Sequence, residues 1–122
     1  HPSLKKGEFT TKGELPDIKD NRVKFVKGYF NEKENEIIEA CEKSENTKLV
    51  HFDADIYSST LYALFTLDNY TPYYALFDQF GGDEARALYS YLISADKKID
   101  ILATSYVDKF NVSPGVTFMR IY

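Results

Sequence analysis

Two acidic positions in this sequence each follow a hydrophobic run, and their side chains could do chemistry. Asp53 comes directly after the run at 48–52, with Asp55 two residues later, and Asp78 comes directly after the run at 73–77. If both runs are neighbouring parallel strands, these carboxylates lie at one edge of a sheet, where open α/β proteins bind their ligands. Paired carboxylates suit a divalent cation, which prefers oxygen ligands, or a general base tuned by a neighbouring charge. The sequence therefore predicts a shared site for Asp53 and Asp78.

The same residues also have structural explanations. An aspartate after a strand often caps the next helix or forms a turn, and this alternative stays open for Asp55 in particular. His51 lies two residues before Asp53 and shares its face of the strand, where a hydrogen-bonded core histidine is expected. Gly81 and Gly82 precede a helix and could cradle a phosphate, although a hinge explains them more simply.

Strands and helices that could position these residues alternate along the chain. Apolar runs predict five strands, at 22–30, 48–52, 73–77, 99–106 and 116–122. Helical spacing of apolar residues predicts three helices, at 34–44, 60–70 and 83–94. Ser58 or Ser59 is expected to cap the second helix. This order predicts an α/β fold: a three-layer, mostly parallel sheet with an antiparallel last strand.

Composition limits the classes of protein to consider. The chain has 122 residues, of which 43% are hydrophobic and 28% charged, which suits one globular domain. The net charge of −4 argues against nucleic acid or an anionic membrane as a partner. No apolar run approaches the ~18 residues of a membrane span. The single cysteine, Cys41, cannot form an internal disulfide, and a cytoplasmic location is expected.

Three segments together resemble a known enzyme family. "LVHFDADIYSSTLYAL" resembles the hxDxDxYxST segment of the macrocin O-methyltransferase-like family, a branch of the class I S-adenosylmethionine (SAM)-dependent methyltransferases. "ALFDQFGGDEARAL" resembles the strand and helix that follow in that family, and "NRVKFVKGYF" resembles an earlier strand. The similarity keeps its order over most of the chain. It implies a Rossmann-like methyltransferase sheet in the order 3-2-1-4-5-7-6, of which the five predicted strands are strands 3 to 7.

The resemblance also implies that half of the family's domain is absent from this sequence. No Gly-rich turn of the G-x-G-x-x-G type occurs, and the chain opens on a polar loop without a Met. Residues 1–122 are therefore expected to be a single domain, the C-terminal part of a truncated Rossmann-like methyltransferase fold. That fragment lacks the Gly-rich SAM-binding half and is expected to be inactive alone.

The acidic residues acquire roles through the same resemblance. Asp53 corresponds to the family's aspartate after strand 4, which implies a catalytic base and, together with Asp78, a ligand of Mg²⁺. Gln79 falls on a further ligand position, where the family has an aspartate, so one unit of ligand charge is lost. The implied function of the intact protein is SAM-dependent methyl transfer to a hydroxyl of a small molecule or sugar.

SAM itself is expected to contact a second group of residues. Gly28, Tyr29 and Phe30 end strand 3 of the family's sheet and would lie near the adenine. Asp55 is also expected to bind the cofactor. The sequence does not distinguish a sugar hydroxyl from a phenol as the methyl acceptor.

The absent strands 1 and 2 lead to a prediction about the sheet. An exposed apolar edge is an aggregation hazard, so the strand at 22–30 is expected to move beside the strand at 48–52. The expected order is then 22–30, 48–52, 73–77, 116–122 and 99–106, with only 116–122 antiparallel. A homodimer that buries the remaining exposed surface is expected as well.

Two other functions stay open. Metal-dependent nucleotide-sugar glycosyltransferases also end a strand on Asp-x-Asp and hold a cation against a diphosphate, and "DAD" at 53–55 fits them. The Tyr-Ser-Ser-Thr continuation at 57–60 fits the methyltransferase better. A folded fragment or interaction domain without activity of its own is the remaining alternative.

Overall fold

A computed structural model of the chain describes residues 11–105 and 115–122. These residues form a small α/β domain in which three α-helices alternate with the first three of four strands. The elements are α1 (Glu34–Glu42), β1 (Leu49–Phe52), α2 (Tyr57–Thr66), β2 (Tyr73–Phe77), α3 (Gly82–Ser94), β3 (Ile99–Thr104) and β4 (Thr117–Ile121). Short 3₁₀ turns at Phe30–Glu32 and Asp68–Tyr70 precede α1 and follow α2. None of the helices in this part of the chain is both long enough and apolar enough to span a bilayer.

The four strands form one mixed sheet in the order β1-β2-β4-β3. β1 and β2 are parallel, and β4 is antiparallel to both of its neighbours. The prediction for these four strands is confirmed in both order and direction. The crossover through α3 carries the chain past one strand position, and β4 returns to fill it.

The helices cover one face of the sheet. Tyr73, Ala75 and Phe77 alternate along β2 as fully buried residues, whereas Tyr74 and Leu76 between them are only half-buried. One core joins the buried side chains of three strands, β1, β2 and β4, and of two helices, α2 and α3. Helix α1 packs against the same core. Both crossovers run in the same direction across the sheet, and right-handed connections then place their helices on one face. The described residues therefore form two layers, where three were predicted.

The segment at 22–30 is not a strand, and the prediction that it fills the edge beside β1 is wrong. Residues 23–27 are irregular and lead into the 3₁₀ turn, and the described sheet has β1 at its edge. Val23, Phe25 and Val26 are between 38% and 43% exposed, so the apolar side chains of this segment do not form a buried face. Gly28 has φ +146°, a conformation that few other residues adopt. The expected homodimer stays a prediction.

A polar network closes the amino end of the sheet, near the start of β2. The Tyr91 hydroxyl donates to Asp68 Oδ1 at 2.8 Å, and Lys97 Nζ lies 3.4 Å from the same oxygen. Lys97 also donates to Thr71 Oγ1 at 2.9 Å. The network ties the end of α2 to the end of α3 above the start of the strand.

Candidate functional site

The turn between β1 and α2 carries the Asp-x-Asp motif. Phe52 ends β1 in the core, where its ring stacks on Phe77 with centroids 4.7 Å apart. Asp55 then adopts a left-handed conformation at φ +57°, and the Ile56 N–H donates to the Ala54 carbonyl at 2.7 Å. The structural alternative for Asp55, a turn former, therefore describes its backbone. Its expected contact with a cofactor stays a prediction.

Helix α2 begins without a side-chain cap. Its N-cap residue is Ile56, which offers no side-chain hydrogen bond to the helix. Ser58 and Ser59 lie inside the first turn of the helix and not before it, so the expectation that one of them caps it is wrong. The two serine hydroxyls are thereby available to face a ligand.

The loops after β1 and β2 meet at the carboxyl edge of the sheet. The Asp78 N–H donates to the Phe52 carbonyl at 3.1 Å, and Asp53 and Asp78 each follow the register pair Phe52 and Phe77. Both aspartates therefore leave the sheet at the same edge, as the sequence predicts. His51 Nε2 lies 3.8 Å from Asp78 Oδ1, and the His51 side chain is 51% exposed. The expectation of a buried core histidine is wrong, because His51 points to the face that the helices leave open.

The predicted Mg²⁺ ligands at this edge include only two carboxylates, Asp53 and Asp78. Within residues 11–105 and 115–122, no three His, Cys, Asp or Glu side chains lie close enough together to hold a metal ion. Asp78 is close to His51 instead, and Gln79 is exposed and carries no charge. Hard cations such as Mg²⁺ favour several charged oxygen ligands. The assignment of Asp53, Asp78 and Gln79 to Mg²⁺ therefore gains no support from their arrangement.

Glu84 is a site residue that sequence reasoning missed. Its side chain is only 3% exposed, and its Oε1 accepts a hydrogen bond of 3.1 Å from the Ala54 N–H. Burial raises the pKa of Glu84, the Ala54 and Asp55 N–H groups oppose that shift, and the charges of Asp55 and Asp53 add to it. A Glu at the third position of a helix usually reaches back to the helix's own N-cap. That pattern is visible in the sequence, but a partner 30 residues away is not.

A pocket of about 520 Å³ lies beside the same turn. One wall comes from the segment before α1, the other from the turn after β1 and the first half of α2. The lining residues are Gly28, Tyr29, Phe30, Asn31, Ala54, Ser58, Ser59 and Tyr62. Three of the four predicted cofactor residues, Gly28, Tyr29 and Phe30, thus share one wall. The fourth, Asp55, does not line the pocket but follows the lining residue Ala54 in sequence.

The pocket combines aromatic rings with hydroxyl groups. Tyr29 is 76% exposed and Phe30 is 39% exposed, so both rings are accessible to a ligand. The Tyr62 hydroxyl donates to Glu34 Oε2 at 2.9 Å, and this bond raises the pKa of Tyr62. The bond also ties the pocket to α1. Flat apolar surfaces next to a few hydroxyls are suited to a heteroaromatic ring that carries polar substituents.

Comparisons with other proteins leave the family open. No family model, curated protein or solved structure matches this chain. The likeness to the macrocin O-methyltransferase-like family therefore rests on the sequence segments quoted above, and membership of that family is a hypothesis.

Proposed function

We propose that this chain is the C-terminal part of a SAM-dependent O-methyltransferase with a Rossmann-like fold, acting on a hydroxyl of a small molecule or sugar. The observation that carries the proposal is the pocket. It brings Gly28, Tyr29 and Phe30 beside the turn that holds Asp53 and Asp55, although the two segments are separated by α1 and β1. The family resemblance assigns adenine binding to the first segment and catalysis to the second.

The sheet adds support of a different kind. The order β1-β2-β4-β3, with β4 antiparallel, corresponds to strands 4-5-7-6 of the sheet that the resemblance implies. Many α/β proteins share parallel β-α-β units, but an antiparallel strand inserted between the last two parallel ones is a narrower feature. Fold alone does not determine function, so this support is secondary to the pocket.

The chain's own residues would bind the cofactor and take up a proton. SAM, when bound, would supply an electrophilic methyl group. Tyr29 and Phe30 would contact the adenine ring, and Ser58 and Ser59 offer hydroxyls on the opposite wall. The exposed carboxylate of Asp53 would accept the proton of the acceptor hydroxyl as that oxygen becomes more acidic in the transition state. No step is assigned to a metal ion, because the arrangement of Asp53, Asp78 and Gln79 gives Mg²⁺ no support.

The test is an NMR titration of the ¹⁵N-labelled chain with S-adenosylhomocysteine and, separately, with adenosine. Because the family's Gly-rich SAM-binding half is absent from this sequence, binding should be weak, and the expected result is a set of amide shift changes centred on Gly28, Ala54 and Ser58 at high concentrations of either compound. Tyr29→Ala should weaken adenosine binding about fivefold or more, because stacking on a base is worth about 1–3 kcal/mol. Tyr89→Ala removes an exposed tyrosine from α3 and serves as the matched control, with no expected change.

The same titration with a nucleotide sugar plus Mn²⁺ addresses the rival function. Shift changes at Asp53 and Asp78 in that experiment, without any response to S-adenosylhomocysteine, would favour a glycosyltransferase and overturn the proposal. A chain that responds to neither ligand would fit the remaining alternative, a folded fragment or interaction domain without activity of its own.

A further inference from the structure

Glu84 is a buried carboxylate whose hydrogen bond leaves its own helix. It is the third residue of α3, and the N–H of the N-cap residue Gly81 donates to the Gln79 carbonyl at 2.6 Å and not to Glu84. Glu84 instead reaches the Ala54 N–H, in the turn after β1, and its other oxygen, Oε2, has no hydrogen-bond partner in the described residues. A buried carboxylate is costly unless it is paired, so a role confined to α3 does not explain this placement.

The turn that Glu84 reaches is strained. Asp55 is a non-glycine residue in the left-handed region, a conformation that is costly for residues with a Cβ. The tight Ile56-to-Ala54 hydrogen bond is the turn's own backbone contact, and the following helix begins without a side-chain cap. Few local interactions within the described residues hold this turn, so a hydrogen bond from another element adds to what holds it.

The position of Ala54 makes that bond relevant to the site. Ala54 lies between Asp53 and Asp55, so the orientation of its peptide sets the direction in which both carboxylates leave the backbone. Ala54 also lines the pocket. We propose that Glu84 is the positioning residue of the site: its carboxylate holds the Ala54 N–H and thereby fixes the Asp53–Asp55 turn and one wall of the pocket. The link to catalysis rests on the proposed function, but the hydrogen bond by which Glu84 fixes the turn does not.

The test compares three substitutions at Glu84 with one beside it. Glu84→Ala removes the acceptor, Glu84→Asp keeps the charge but shortens the reach by one methylene, and Glu84→Gln keeps an acceptor oxygen at full length. Asp83→Asn removes a charge from the same turn of α3 and is the matched control, since Asp83 is exposed. The measurements are amide hydrogen exchange at Ala54, adenosine affinity, and global stability by denaturation.

The expected result is an exchange rate at Ala54 at least tenfold higher in Glu84→Ala and Glu84→Asp, beyond any change in global stability. Adenosine affinity should fall about threefold or more in both variants. Glu84→Gln should restore both properties, and Asp83→Asn should leave them unchanged. An Ala54 amide that exchanges no faster in Glu84→Asp than in the wild type would overturn the inference, even if Glu84→Ala fails to fold. If the variants show the exchange effects but the wild-type chain does not bind adenosine, the role of Glu84 in holding the turn stands and the proposed function is rejected.

Discussion

The two ends of the sheet hold aspartates in opposite ways. At the amino end, Asp68 accepts a hydrogen bond from Tyr91 and lies 3.4 Å from Lys97, so its charge is compensated inside the fold. At the carboxyl end, Asp53 and Asp55 are exposed, and the buried Glu84 carboxylate accepts a hydrogen bond from the backbone N–H of Ala54 between them. The first arrangement uses a carboxylate as a structural tie. The second fixes the backbone and leaves the carboxylates free, which is what a ligand site requires.

The largest expected effect tests the core that supports both ends. Phe77→Ala should reduce the free energy of unfolding by about 3–5 kcal/mol, because the ring is fully buried and stacks on Phe52. Phe65→Ala is the matched comparison, since Phe65 is 45% exposed and should cost clearly less. Urea denaturation of both variants measures the difference. Equal losses would mean that the core does not lie where the structure places it.

The next effect separates catalysis from stability at the carboxyl end. If the proposed function holds, Asp53→Asn in the intact protein should lower turnover about 10²-fold or more, the usual cost of removing a general base. Its unfolding free energy should stay within about 0.5 kcal/mol of wild type, because Asp53 is exposed. Release of S-adenosylhomocysteine from SAM measures turnover, and Asp96→Asn provides a control with the same change of charge at another exposed turn. Near-normal turnover in Asp53→Asn would move the chemistry to another residue.

Much of the carboxyl end could be predicted from the sequence, because strand ends and crossover directions are local or topological properties. The apolar runs at 48–52 and 73–77 predict neighbouring parallel strands, and this alone brings Asp53 and Asp78 to one edge. The two-layer arrangement follows from the same crossovers and was within reach of the sequence. Cys41 lies on α1 and packs against the core, and this partial burial raises the pKa of its thiol.

Other features could not be predicted, because they depend on contacts between distant segments. The alternation of Val23 and Phe25 fits a strand, but a strand also needs a partner, and the segment at 22–30 pairs with no described strand. Glu84 is a second case in which a distant contact overrides a local expectation. Its position at the start of α3 suggests a local cap, whereas its bond crosses to the turn after β1.

A third prediction concerns the network at the amino end. Asp68→Ala should cost about 1–3 kcal/mol, because it leaves the buried Tyr91 hydroxyl without an acceptor. Tyr91→Phe should cost less, about 0.5–1.5 kcal/mol, since Asp68 keeps Lys97 as a neighbour. Neither change should alter adenosine binding at the other end. If both variants proved as stable as wild type, the amino end would not be the structural tie that the comparison requires.

The smallest expected effect is a pH dependence, and it contrasts the buried acid at the carboxyl end with its exposed neighbours. Burial raises the pKa of Glu84 above its ordinary value of 4.5, and the charges of Asp55 and Asp53 raise it further. A carboxyl group with a raised folded-state pKa stabilises the fold fully below its unfolded pKa, and this stabilisation is lost as pH rises through the folded value. Glu84→Gln cannot titrate, so its stability relative to wild type should increase as pH rises above about 4.5.

The effect should be modest because the Ala54 and Asp55 N–H groups oppose the shift in the pKa of Glu84. Denaturation of both proteins between about pH 4 and pH 8 measures the difference, and a difference that stays constant over this range would show that Glu84 titrates in the fold as it does in the unfolded chain.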